Sequence, residues 1–397
     1  MPRNPNAINY SRNFPNSINA FKNLTDSRYP TGNLRHHFGE IIFMAYVAIV
    51  CGINSYEMME EFCNVRRKWF QKYLSLPNGI PSYNTFSRVF EAIKPNDFSA
   101  CIIEQLKATN LTTKSNHVAI DGKAMRGSRD QDNKHINCVS AWACEQGFTL
   151  AQAFVDEKSN EITAIPKLLA MLDLKDVVVS VDAMGTQTAI IKDIIQREGD
   201  YVVSVKKNQP LLFDEIVDQF DYAQRQLMED PKSLGKMWSY AQDEKKEHGR
   251  FTRRTTLVCH ELHWMNQEIR NNWLGLACVV LVQREVWGKE GKFHQETSYY
   301  MSSLKESKAP EIQGYIRGHW KIENNCHWVI DTIFKEDHHQ VKKKNAAKNW
   351  STMRRIALNL WNSMSLPKEG KKKSLPKRQL KAVADEDFLE QIIFSRM

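Results

Sequence analysis

From about residue 35 to 110 the apolar positions of the chain recur at helical spacing. The run IIFMAYVAIVCGI, residues 41 to 53, is apolar on every side and predicts a buried core helix ending at Gly52. It is too short to span a bilayer, which takes about 20 residues. An amphipathic helix follows in SYEMMEEFCNVRRKWFQKYL, with Ser55 as its N-cap. After the turn PNGIPS a third helix, YNTFSRVFEAI, starts behind Ser82. Helix, Gly/Pro turn and short helix fit a DNA reader of the helix-turn-helix kind, and equally a small helical bundle.

Beyond residue 113 the period changes. HVAID, HINCVSAWAC and FTLAQAFV alternate or run apolar as three consecutive strands. A helix through ITAIPKLLAML, the apolar strand VVVSVDA, a helix in TQTAIIKDIIQR, the strand YVVSV and a helix from Pro210 complete the order β-β-β-α-β-α-β-α. Continuous apolar strands alternating with helices imply a sheet covered on both faces. From about 226 to 305 the chain is strand-rich again (TTLVCHEL, LGLACVVLVQREVW, ETSYYMSSL), as an insertion would be, and helices resume to about 364. The expected organisation is a polar, disordered arm over 1–25 and a helical domain over 26–112. An α/β core follows over 113–225 and 306–364, interrupted by the insertion at 226–305. A basic linker with a short amphipathic tail closes the chain at 365–397.

Composition narrows the class of partner. The 397 residues are 42% hydrophobic, enough for real cores, and the formal net charge of +9 fits a polyanionic partner, most simply nucleic acid. The eight cysteines, at 51, 63, 101, 138, 144, 259, 278 and 326, form no Cys-x-x-Cys pair and read as reduced core residues of a cytosolic protein. The first twenty-odd residues are Asn-rich without an apolar stretch, so no secretory leader and no membrane partner are expected.

The candidate chemistry starts at VAIDGKAMRGS. Asp121 ends an apolar strand and, alone, reads as a turn residue before Gly122. VVVSVDAMGTQ repeats the pattern with Asp182, and ligand sites on α/β sheets lie beyond the carboxyl ends of strands. In YIRGHWKIENNCHWVIDTIF, residues Ile322, Cys326, Val329, Ile330 and Ile333 form one helical stripe, with Glu323 at its edge. His319 and His327 stand one turn before and after it, but zinc-binding helices of the His-Glu-x-x-His type place the glutamate beside a histidine, which disfavours zinc. Three carboxylates on one rim repel one another unless cations are present. Oxygen-only ligands suit Mg²⁺ or Mn²⁺, and two such ions serve phosphoryl transfer.

Strand-end Asp, strand-end Asp, an insertion and a helical Glu resemble the DDE transposases with an RNase H-like core, in particular the H-repeat-associated insertion-sequence group. GIPSYNTFSRVF, AIDGKAMRGS, KSNEITAIPKLL, VDAMGTQ, YVVSVKKNQ, HGR and RGHWKIENNCHWVIDTIFKED look like that group's blocks and span nearly the whole chain. The resemblance implies a mixed α/β sheet with flanking helices. It also implies catalytic and metal-binding roles for Asp121, Asp182 and Glu323, which lie 61 and 141 positions apart. It implies two Mg²⁺ or Mn²⁺ ions, cleavage and joining of insertion-sequence ends, and homo-oligomers assembled on DNA in the bacterial cytoplasm at the nucleoid. Two departures stand out. Related enzymes often carry arginine four residues before the glutamate, where this chain has His319, and a glutamate expected soon after His248-Gly249-Arg250 is replaced by Thr252. A catalytically silent DNA-binding relative and a stand-alone nuclease of the same fold are the alternatives.

The DNA-contacting candidates are Lys123, Arg126, Lys206, Lys207, Asn208, Arg250, Arg253, His319, His327 and Arg88. Arg254, Lys342, Lys343, Lys344, Arg354 and Arg355 would extend the same basic channel. Trp320 and Trp328 could stack on a base, but their place beside the apolar stripe favours core packing.

Overall fold

Nine strands form in the computed structural model, which describes residues 21, 23–28, 34–108, 115–129, 132, 134–155, 160–229, 237–247, 249–288, 292–364 and 374–394. They are β1 (His117–Met125), β2 (Ile136–Ala143), β3 (Phe148–Phe154), β4 (Val178–Val181), β5 (Asp200–Val205), β6 (Trp238–Glu247), β7 (Arg250–Cys259), β8 (Cys278–Trp287) and β9 (Phe293–Ser302). Their order is β3-β2-β1-β4-β5-β9-β8-β7-β6. β1, β4 and β5 run parallel, whereas the β2–β3 pair and the meander β6 to β9 are antiparallel. This is the mixed α/β sheet with flanking helices that the resemblance implied.

The helices, in chain order, begin with α1 (Phe38–Val50), α2 (Tyr56–Val65), α3 (Arg67–Phe70), α4 (Tyr83–Ala92), α5 (Pro95–Ala108), α6 (Glu161–Leu169) and α7 (Thr188–Gln196). α8 (Pro210–Glu229), α9 (Gln267–Asn272), α10 (Ala309–Ile322), α11 (Trp328–Thr332), α12 (Ala346–Ser363), α13 (Leu375–Ala384) and α14 (Glu386–Phe394) follow. Among the described residues, no helix is long and apolar enough to cross a membrane. The chain divides into two compact units. One holds residues 115–121 and 160–322, and the other holds 1–114, 122–159 and 323–397.

In the first unit β4 and β5 are largely apolar on both sides because helices cover both faces. α7 packs on β5, and α10 packs on β4, β5, β6 and β7. Val178, Val202, Val258 and Val280 meet Ala309, Ile312 and Ile316 of α10 in one cluster. The strand-rich segment is not a separate layer. β9 pairs antiparallel with β5 from Val202↔Ser302 to Val205↔Tyr299, so β9, β8, β7 and β6 continue the core sheet.

The second unit is organised by α12, whose residues Asn349–Trp361 are all buried. A helix buried on every side must place its polar side chains against other elements' loose backbone groups. Asn349 Nδ2 donates to Phe90 O (2.7 Å) and Ile93 O (2.9 Å), capping the end of α4, and Trp361 Nε1 donates to Val50 O (3.0 Å) at the end of α1. Asn359 exchanges two bonds with the backbone of Thr149, 2.8 Å and 2.9 Å, as a strand neighbour would. The helices of 34–108 are therefore bolted to α12 rather than freestanding. α1 is buried along all 13 residues, Ser55 caps α2 through Met58 N (3.2 Å), and Glu60 caps α4 by accepting from Tyr83 N (2.7 Å).

Two terminal expectations need comment. The polar arm lies outside the described residues up to residue 20. Of the segment expected as a basic linker, residues 365–373 also lie outside them, but Leu375–Ala384 form α13. The reason is Arg378, whose guanidinium stacks on Trp361 (4.6 Å) and donates to Trp361 O (3.0 Å), giving a basic stretch a buried anchor.

Asn349→Leu is expected to destabilise the protein by about 1–3 kcal/mol, because two helix-end carbonyls lose their donor in a buried site. The midpoint of urea unfolding measures this. An unchanged midpoint contradicts the capping role.

Candidate functional site

The parallel pairing of β1 with β4 runs from His117↔Val178 to Ile120↔Val181. The next residue on each strand is Asp121 and Asp182, so two half-buried carboxylates stand at neighbouring positions on strands about 4.8 Å apart. Alternation places Ala119 and Asp121 on one face of the sheet, with Ser180 and Asp182 beside them.

Asp182 then enters a loop fastened from several sides. Asp182 Oδ1 accepts from Gly185 N (3.0 Å), and Thr186 Oγ1 donates to Ser204 O (2.7 Å). Asn208 Nδ2 donates to Ala183 O (2.7 Å) and Gln209 Nε2 to Thr186 O (2.9 Å). The blocks VDAMGTQ and KKNQ are thus two halves of one hydrogen-bonded structure. Gly185 fits tightly here, since a Cβ would stand 3.0 Å from Ile165 Cδ1 and 3.1 Å from Val181 Cβ.

α10 lies on the face that carries both aspartates. Its His319 Nδ1 is 3.0 Å from Ser180 Oγ, which is itself 2.7 Å from His117 Nε2. Sequence reading missed this line of three polar side chains, although His117 opens the strand that Asp121 ends. Burial, with the charges of His319 and Lys321, pushes the His117 imidazole down to about 3, so it is neutral at physiological pH.

Glu323 is the residue after Ile322, the last of α10, and begins a π-helical turn, Glu323–His327. Such a turn inserts one residue into a helix and is frequent at functional sites. It lets Cys326 and His327 be buried while the Glu323 side chain remains 57% exposed. His327 Nδ1 is 3.3 Å from Glu323 Oε2. His327, expected at DNA, is instead buried against the glutamate. Trp320 and Trp328, expected in the core, are 60% and 56% exposed, because the stripe that is buried runs through Ile322, Cys326 and Ile330.

The largest correction concerns the cations. Lys123 is 7% exposed and does not face solvent. Its Nζ lies 2.6 Å from Asp331, 3.1 Å from Glu336 and 3.3 Å from Asp337. Arg354 and Arg355 are also buried, 3.8 Å and 3.6 Å from Glu336. Burial alone would raise the Glu336 carboxyl, but Arg355, Lys123 and Arg354 hold it down at about 2. These three cations belong to the interior of their unit, where each charge is matched, rather than to a basic channel. Nothing in the spacing of Asp331, Glu336 and Asp337 marks them as partners; the balance of three cations with three carboxylates is visible only in the fold.

Other cations remain outside. Arg126, Lys206, Lys207, Arg250 and Arg88 are exposed, as are Lys342, Lys343 and Lys344. Arg253 is half-buried, bonded to Glu244 (2.8 Å) and stacked over Trp287 (5.3 Å), and Arg254 pairs with Asp243 (3.8 Å). On α4, Phe86, Val89 and Phe90 are fully buried while Tyr83, Asn84 and Arg88 face outward.

Comparison with known proteins matches residues 112–360 to the family described as "Transposase DDE domain" and residues 18–105 to the "DDE_Tnp_1-associated" family. The "H repeat-associated putative transposase YhhI" of Escherichia coli (strain K12) is 31% identical over 367 residues, 91% of this chain and 94% of that protein. The "Putative transposase YncI" of Escherichia coli O157:H7 is 34% identical over 370 residues, 92% and 91% of the two chains. The "Putative protein YbfL" of Escherichia coli (strain K12) is 31% identical over 364 residues, 91% and 93%.

The buried titratable groups set an acid limit on stability. His117 and His339 are each lowered to about 3, His339 by burial and then by Arg354. A histidine whose folded value is depressed stabilises the fold above its ordinary value near 6.5 and loses that contribution as pH falls towards 3. Glu336 adds a second loss, starting at its ordinary 4.5 and completed near 2. Thermal unfolding is expected to shift to lower temperature from about pH 6.5 downward, with His117→Gln flattening the upper part. A profile level down to about pH 4 contradicts this reading.

Proposed function

We propose that this chain, which belongs to the DDE-domain transposases, cuts and joins the ends of a mobile DNA element, with Asp121, Asp182 and Glu323 as its metal-binding carboxylates. One observation carries the reading. Two aspartates stand in register at the ends of adjacent parallel strands, on the face along which α10 runs towards Glu323. His319 meets Ser180, two residues before Asp182, and Glu323 follows His319 by four residues. From His319 to Glu323 a helix rises about 6 Å, and from Ser180 to Asp182 a strand rises about 6.6 Å. The two steps match, which supports convergence of the three carboxylates.

The donors fit a hard divalent cation. Asp121 and Asp182 offer only oxygen, are half-buried and sit side by side, an arrangement whose mutual repulsion favours Mg²⁺ or Mn²⁺. Such ions, when bound, supply charge neutralisation at the phosphate and activation of the attacking oxygen. The chain's own residues do the rest. Gly185 N, with Asn208 and Gln209 behind it, fixes the Asp182 loop, and the His327 ring orients the Glu323 carboxylate. The reaction divides into hydrolysis at the element end and in-line attack of the freed 3′-hydroxyl on target DNA, with no covalent protein–DNA bond.

The DNA is engaged by the exposed cations Arg126, Lys206, Lys207 and Arg250, and α4 reads terminal-repeat sequence through Asn84 and Arg88. Two or more copies assemble on the paired element ends.

Asp182→Asn is expected to lower metal-dependent cleavage and joining of element ends by more than the roughly 100-fold seen when an outer partner of a metal site is lost. DNA affinity should stay nearly unchanged, because no phosphate contact is removed. Equal loss of binding and activity would make Asp182 structural. Wild-type protein without strand transfer in Mg²⁺ or Mn²⁺ would favour a silent DNA-binding relative, and cleavage independent of terminal sequence would favour a nuclease.

In the full-length protein, Arg88→Ala with Asn84→Ala is expected to narrow the affinity gap between terminal-repeat and scrambled duplexes by about 1–3 kcal/mol for each base edge no longer read. Competition binding near physiological salt measures it. An unchanged gap removes α4 from the reading role.

A further inference from the structure

We propose that Lys123 is a positioning residue, tying the segment that follows Glu323 to the strand that carries Asp121, and that it is not a phosphate contact. The inference rests on the metal-site reading above and assigns to it a residue outside the carboxylate triad.

Lys123 follows Asp121 by two positions on β1, so alternation puts both side chains on the same face. An ammonium group has three donors. Lys123 Nζ donates to Asp337 Oδ1 (3.3 Å) and Ala124 O (3.3 Å), and it forms close ion pairs with Asp331 Oδ1 (2.6 Å) and Glu336 Oε2 (3.1 Å). A phosphate could be served only by displacing one of these carboxylates from a lysine whose own side chain is 6% exposed, which would leave that carboxylate short of a cation.

The partners explain why the contact matters for position. Asp331 lies in α11, which continues directly from the π-turn beginning at Glu323. Any displacement of α11 moves that turn with it. Glu336 and Asp337 form the next 3₁₀ turn, Glu336–His338, entered through Lys335 in the left-handed region (φ 56°). A lysine in that conformation is held by its surroundings. Glu336 is anchored from behind by Arg354 and Arg355 of α12, and Arg355 Nε reaches Ser140 Oγ of β2 (3.3 Å).

A second contact between the same two segments is independent of charge. A Cβ at Gly127 would stand 2.6 Å from Glu336 O, 2.7 Å from His339 O and 3.1 Å from Asp337 O, so only glycine permits this approach. Arg126 N also donates to Asp337 Oδ1 (3.1 Å). The sequence blocks GKAMRGS and TIFKEDHH are therefore a strand end and the turn clamped to it.

The test uses full-length protein, Lys123→Met and the milder Asp337→Asn, each compared with wild type at a temperature where unfolding curves show it folded. Mn²⁺ binding, followed by the spin-resonance signal of the free ion, is expected to weaken about tenfold or more in Lys123→Met and several-fold in Asp337→Asn. The slope of DNA affinity against salt concentration should be unchanged. Unchanged Mn²⁺ affinity in both folded variants overturns the proposal, as does a salt slope reduced by about one, the signature of a missing phosphate partner. Wild-type protein that binds no Mn²⁺ sinks the metal-site reading itself, and the positioning role with it. Metal binding that persists equally in the variants sinks only the latter.

Discussion

The register of β1 against β4 is the constraint on which the candidate site depends. Parallel strands give each pair of neighbours one fixed offset, and here it ends with Ile120 opposite Val181, leaving Asp121 and Asp182 as the next residues on each strand. A slip of one residue would turn one aspartate to the opposite face. Such a slip is opposed twice over on the face under α10. Val178 and Val202 are packed under α10, and Ser180 must still meet His117 and His319. The apolar helix face and the polar bridge thus enforce one alignment, and the carboxylates inherit it.

Placing acidic groups on a rim requires that the surrounding charges be either paired or left in water. The unit containing Glu323 does the first. Lys123, Arg354 and Arg355, all buried, face buried Glu336 and half-buried Asp331 and Asp337 in a set whose charges cancel in number. Replacing one member leaves an unpaired buried charge, the most destabilising state open to such a set. The loop after Asp182 does without ion pairs and is held by amides, with Asn208 and Gln209 donating to backbone carbonyls. Charge holds the segment after Glu323, and neutral hydrogen bonds hold the loop after Asp182.

Much of this was legible in the residues. VVVSVDA read as a strand covered on both faces, α1 as a buried helix, and the two strand-end aspartates as neighbours on one rim, because period and apolar runs report burial directly. Lys123, Arg354 and Arg355 were misread as surface cations, since nothing local distinguishes a cation with a distant buried partner from one in water. Trp320 and Trp328 were misread for a related reason. A stripe fixes which residues face inward, not how far the buried zone extends around the helix, and the π-turn at Glu323–His327 shifts the facing within it. The role of Asn208 was hidden because its acceptor, Ala183, lies 25 positions away in sequence.

The central claim is that Asp121, Asp182 and Glu323 converge to hold divalent cations. The most direct measurement is anomalous X-ray scattering from crystals of the full-length protein bound to element-end DNA and soaked in Mn²⁺. The account expects two manganese peaks about 3.5–4 Å apart, with oxygen of all three carboxylates in the coordination spheres. Manganese bound without Glu323, or ligated only at surface carboxylates elsewhere in the chain, would contradict it.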